Sequence, residues 1–183
     1  MIAHRGYFID KSLLYLFSVD LEFSMDFEEL GLVPGGIRLN LFCVPNTARV
    51  YNVLRERTVG ALGYPAVTGT LIYGEDPVLV REDDVAVANV RARIQTDDGA
   101  LIDTTYHGIM PMGVGAFRAI AGGLDSLGTL EAPAEYRIVV TPTYETDSPT
   151  YRWLTEEQCV GFGTVQQVQG LFRRVSYDIY SMT

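Results

Sequence analysis

The sequence predicts an all-β fold, either a closed antiparallel barrel or a sandwich. Three observations lead there. Short runs rich in Val, Ile, Tyr, Phe and Thr recur along the chain, with Gly, Pro, Asp and Asn punctuating them. Two such runs flank Asp97-Asp98-Gly99, a hairpin turn in which Gly supplies positive φ without steric cost. Helical periodicity is weak throughout. Many consecutive strands with little helix must close on themselves or pack face to face.

The elements follow in order. Residues 11–23, 36–44, 49–54, 67–73 and 77–81 read as strands. Residues 24–31 read as a helical turn, with Ser24 as N-cap, Glu three and more positions later, and Gly31 as C-cap. The hairpin pairs 85–96 with 100–107. Residues 111–133 are rich in Gly and Ala and read as a long loop, a candidate lid. Strands at 135–144, 158–165 and 171–181 follow, and residues 148–158 contain a turn or short helix. No internal repeat or linker divides the chain, so 1–183 reads as a single domain.

Strand alternation leaves the facing open. In 85–96 one face carries Val85, Val87, Asn89, Arg91, Arg93 and Gln95, and the other Ala86, Ala88, Val90, Ala92, Ile94 and Thr96. The polar face meets either solvent or a ligand inside a barrel. The same choice arises for Arg38, Asn40 and Phe42 against Ile37, Leu39 and Leu41. It arises again for Asp103 and His107 against Ile102, Thr104 and Tyr106.

Composition narrows the chemistry. Of 183 residues, 48% are hydrophobic and 20% charged, as expected of an ordered globular chain. Fourteen basic residues against 23 acidic ones give a net charge of -9, which argues against nucleic acid as a partner. The apolar run 13–19 is too short to span a bilayer and lacks signal-peptide features. A cytoplasmic location and free thiols at Cys43 and Cys159 are therefore expected. Two histidines and two cysteines without metal-ligand spacing predict no metal, and no nucleotide-binding or GxSxG motif is present, so no cofactor is expected.

The scarcity of His and Lys shifts acid/base work to carboxylates and tyrosines. Asp76, before Pro77, is either a turn cap or a general base whose pKa burial raises. Arg38, in an apolar strand, forms a salt bridge or binds an anion. Arg91 and Arg93 form an anion site or a solvated face. Glu145 ends a strand and serves as a turn residue or a second acid/base. His107 is structural or titrates near neutrality. Asn40, Tyr106, Tyr136, Tyr144, Tyr151 and Trp153 either line a pocket or pack. Asp97 and Asp98 belong to the turn, and neither cysteine has a neighbouring base.

Several segments carry a resemblance. They are Leu32-Val33-Pro34-Gly35-Gly36-Ile37-Arg38, Thr68-Gly69-Thr70-Leu71-Ile72-Tyr73-Gly74-Glu75-Asp76, Thr96 to Ile102, and Tyr106-His107-Gly108. Thr141 to Thr146, Tyr151-Arg152-Trp153-Leu154, Cys159 to Gly163 and Val175 to Tyr180 continue it. Together they resemble the uncharacterised family called domain of unknown function 3237. The resemblance implies a lipocalin-like antiparallel β-barrel, similar to allene oxide cyclase and dirigent barrels and often a homodimer. Two features depart from it. Val139 stands near a position where family members tend to carry Arg, with Arg137 on the same face, and 111–133 is longer than usual. The expected function is a cofactor-independent isomerase, cyclase or lyase. Its substrate would be a hydrophobic oxygenated small molecule, such as a polyketide, terpenoid or aromatic metabolite. The alternative is a non-catalytic barrel that binds or carries such a ligand.

Overall fold

The computed structural model describes residues 13–52, 63–123, 135–168 and 171–182. Its strands are β1 (Leu13–Val33), β2 (Gly36–Cys43), β3 (Arg49–Tyr51), β4 (Gly69–Asp76), β5 (Leu79–Val80) and β6 (Val85–Thr96). They continue with β7 (Leu101–Pro111), β8 (Glu135–Glu145), β9 (Cys159–Val168) and β10 (Leu171–Met182). All pairings are antiparallel, and the sheet closes in the order β1-β10-β9-β8-β7-β6-β5-β2-β4-β3. The all-β barrel expectation holds. Closure leaves no long unpaired edge, so the backbone polar groups of the wall satisfy one another.

Alternation fixes the inside of the barrel. Ala86, Ala88, Val90, Ala92 and Ile94 of β6 are buried, while Arg91, Arg93 and Gln95 are exposed. The polar face of this strand therefore meets solvent. Strand β8 repeats the pattern, with Tyr136, Ile138, Val140 and Tyr144 buried and Arg137, Val139 and Glu145 exposed. Small side chains on β6 and large ones on β8 and β10 fill the lumen to a packed core.

One expected element is different. Residues 24–31 are strand, not helix. Ser24 Oγ does accept the N–H of Asp26 at 3.0 Å, as a helix cap would. The chain then pairs with β2 from Phe27 to Val33, and ladder bonds along a whole strand outweigh one local cap. The register shifts between Phe23 and Phe27 bend β1, so it pairs with β10 first and β2 second. Gly31, at φ 77°, sits at a second register shift in β1 rather than at a helix end.

Both mouths are covered. At one, α1 (Ala116–Ala121) buries Ala116 and Ile120. Asp84 fastens it, accepting the N–H groups of Gly115 and Phe117 at 2.9 Å each. Thus part of the expected loop 111–133 is a helix against the barrel, and residues 124–134 lie outside the described residues. At the other mouth a 3-10 turn, Arg152–Glu156, buries Trp153 and Leu154. Trp153 stacks on Tyr64 with ring centroids 4.8 Å apart.

Candidate functional site in the barrel interior

Among the described residues, the charged side chain that enters the largely apolar lumen is Asp76. This carboxyl ends β4 and is only 5% exposed. Its Oδ1 accepts the backbone N–H of Asn89 on β6 at 2.8 Å. Burial pushes its pKa up to about 6, against the lowering effects of that hydrogen bond and of the Arg38 charge. A carboxyl titrating there can give and take a proton near neutral pH.

Two tyrosines lie within reach of its charge. Tyr106 on β7 and Tyr177 on β10 meet edge to face, with ring centroids 5.8 Å apart. Burial pushes both pKa values well above the usual phenol. They therefore stay protonated and act as donors. Gly163 makes room for Tyr177, because a Cβ there would lie 2.4 Å from its ring. Cys43 shares this region, and burial first and then the Asp76 charge push its thiol up to about 12. Such a thiol is a packing group, not a nucleophile.

Tyr177 separates two internal voids. One, of about 20 Å³, lies towards α1 and is bounded by Asp76, Phe23, Met110 and Phe172. The other, of about 30 Å³, lies towards the 3-10 turn and is bounded by Thr104, Tyr106, Tyr144 and Phe17. Thr104 is buried on that side, and its hydroxyl has no hydrogen-bond partner among the described residues. Each void is no larger than about one or two waters.

The other sequence candidates divide into three groups. Arg38 is on the outer face of β2, where its Nη1 donates to the carbonyl of Pro77 at 2.8 Å. It reaches Asp76 through its charge alone. Asn40, on the same face, donates to Glu28 at 3.4 Å. Arg91, His107 and Glu145 are exposed on the outer wall and do not converge with Asp76. Arg91 and Glu145 instead border a surface hollow of about 240 Å³ with Tyr73, beside the Arg93–Asp103 ion pair. Tyr136 and Tyr144 point inward, against Phe172 and Phe17 respectively. Tyr151 is a clasp, its hydroxyl donating to Asp98 at 3.2 Å across the hairpin turn.

Sequence reasoning passed over Tyr177 and Thr104. The alternation of Val175, Tyr177 and Ile179 against Ser176 and Asp178 does mark Tyr177 as inward. What it lacks is any link to β4. Among the described residues, no group of three or more His, Cys, Asp or Glu could hold a metal ion, and no helix is long and apolar enough to cross a membrane.

A family described as a protein of unknown function, DUF3237, matches residues 37–182. The chain belongs to the DUF3237 family. Solved structures share its barrel. A protein of unknown function from Clostridium acetobutylicum superposes with a TM-score of 0.69 at 21% identity, covering 94% of this chain and 99% of its own. A beta-barrel-like protein from Acinetobacter baumannii gives 0.68 at 22%, covering 94% and 96%. An enzyme from Penicillium herquei gives 0.54 at 18%, covering 92% and 94%. At these identities the likeness concerns the fold. The DUF3237 chain matches no curated protein.

Proposed function

We propose that this DUF3237 barrel is a cofactor-independent isomerase, cyclase or lyase for a hydrophobic, oxygenated small molecule, with Asp76 as the proton-transferring group. The observation that carries the reading is the pairing of a buried carboxyl poised near pH 6 with two protonated tyrosines in an apolar lumen. The substrate's apolar body replaces water around the carboxyl. Asp76, ionised above its pKa, takes a proton from a carbon beside a carbonyl and returns it at another carbon. The Tyr106 and Tyr177 hydroxyls donate to the carbonyl oxygen as charge develops on it. Arg38 is a positioning residue, because its charge moderates the pKa of Asp76 from outside the lumen.

The two voids are smaller than any such substrate, so entry requires a mouth to open. That step also accommodates the carrier reading, in which an apolar ligand enters and leaves unchanged.

Deuterium uptake separates the readings without knowledge of the natural substrate. The protein is incubated in D2O with a panel of apolar ketones, enones and hydroxyketones, and mass spectrometry reads the label. The enzyme reading expects label in at least one member, lost in Asp76→Asn and retained in Arg38→Met at a shifted pH optimum. Binding of panel members without label in any of them favours the carrier and removes Asp76 from catalysis.

A further inference from the structure

We propose that a groove on the outer wall binds a small zwitterion of the α-amino-acid type with an apolar side chain. The groove crosses β8, β9, β10, β1 and β3 and encloses about 520 Å³, far more than either internal void. Its floor is low because Thr164 and Ser176 are short and paired side by side on β9 and β10. Taller side chains form its walls.

The walls carry complementary chemistry. On one side Arg137 is exposed and forms no ion pair with a described residue. Across the groove stand Asp178 and Asp20. Ser18 Oγ donates to Asp178 Oδ1 at 2.6 Å, and the Tyr51 hydroxyl donates to Asp20 Oδ2 at 2.7 Å. Each carboxylate is thereby oriented, and no described residue donates to its other oxygen. Such an unused pair of oxygens suits an ammonium group, which has several N–H donors to place. Phe162 and Val139, 45% and 46% exposed, supply an apolar wall between the charges.

The spacing suits this ligand. Arg137 pairs with Thr164, which pairs with Ser176, so Asp178 lies two strands over and two residues along. Strand geometry puts the two Cα atoms roughly 12 Å apart. An extended arginine and an aspartate close most of that gap, leaving room for a carboxylate and an ammonium borne on one carbon. A simple amine would leave Arg137 unanswered, and a simple carboxylate would leave both aspartates so.

Calorimetry on the full chain tests this with L-phenylalanine, phenethylamine and 3-phenylpropionate as probes. Phenylalanine is expected to bind about tenfold or more tighter than either analogue. Arg137→Met should erase its advantage over phenethylamine, and Asp178→Asn its advantage over 3-phenylpropionate. Ser176→Phe fills the floor from the outside and should abolish binding of all three. The proposal is overturned by a phenylalanine Kd weaker than about 10 mM, by equal affinity for the three probes, or by binding that survives Ser176→Phe.

Discussion

Replacing Asp76 by Asn isolates the energetic cost of holding a carboxylate in the lumen. The side chain keeps its shape, and Oδ1 can still accept the Asn89 N–H. What changes is the charge. The Asp76 pKa is about 6 in the fold against 3.8 for an ordinary aspartate. That gap corresponds to ~3 kcal/mol of disfavoured ionisation. Between pH 3.8 and 6 the native state binds the proton that the unfolded chain has released, so stability contributed by this group falls as pH rises. Below that window the wild-type and Asp76→Asn proteins should respond alike. Above about pH 7 the wild type should have lost up to ~3 kcal/mol relative to the variant. Urea unfolding from pH 4 to pH 8 measures the difference directly. A difference that stays flat across this range, or one of opposite slope, would refute a desolvated Asp76, and the proton-transfer role with it.

Other outcomes follow from the packing. Gly163→Ala should destabilise the barrel by about 1–3 kcal/mol, because its Cβ must displace the Tyr177 ring or the Ser176 carbonyl, and thermal unfolding would register it. Cys43 and Cys159, both pushed up to about 12 by burial, should resist iodoacetamide at pH 8 and react only after denaturation, as mass spectrometry can read. The backbone hydrogen bonds from Phe117 and then Gly115 hold the Asp84 carboxyl below the usual range. Its support of α1 is therefore complete above the ordinary aspartate pKa and lost as pH falls through the lowered one. Asp84→Asn, which still tolerates the left-handed φ of 63°, should speed amide exchange at both donors while leaving β6 and β7 protected.

How far the site was legible depends on the residue. Asp76 stood out because a carboxylate ended a strand beside Gly74 and Pro77, yet the same residues describe a turn cap. Burial decides between them, and it comes from closure of the barrel around the inward face of β4, where the neighbouring antiparallel strand β6 places the Asn89 amide beside the carboxyl. Tyr106 was a candidate for its ring alone. Its partner Tyr177 lies 71 residues away on β10 and meets it only across the closed lumen. Arg38 and Arg91 looked equivalent as cations on β-strands. The fold puts both outside, and only Arg38 is close enough for its charge to act on Asp76.

The sequence by itself determined the strands and their two faces. Every strand of the structure overlaps a run of β-branched and aromatic residues bounded by turn formers, and alternation is a local property of the extended chain. Two segments were misread: 24–31 had a local helix-cap signal that pairing with β2 overrode, and the expected loop 111–133 contains the short helix Ala116–Ala121. Only the tertiary structure decided which face is inward and what meets there. Barrel closure brings β4, β7 and β10 together around Asp76, and it leaves an outer groove whose charges come from strands far apart in the chain. Desolvation and Coulomb interaction act through space, so they depend on distances that no short stretch of sequence contains.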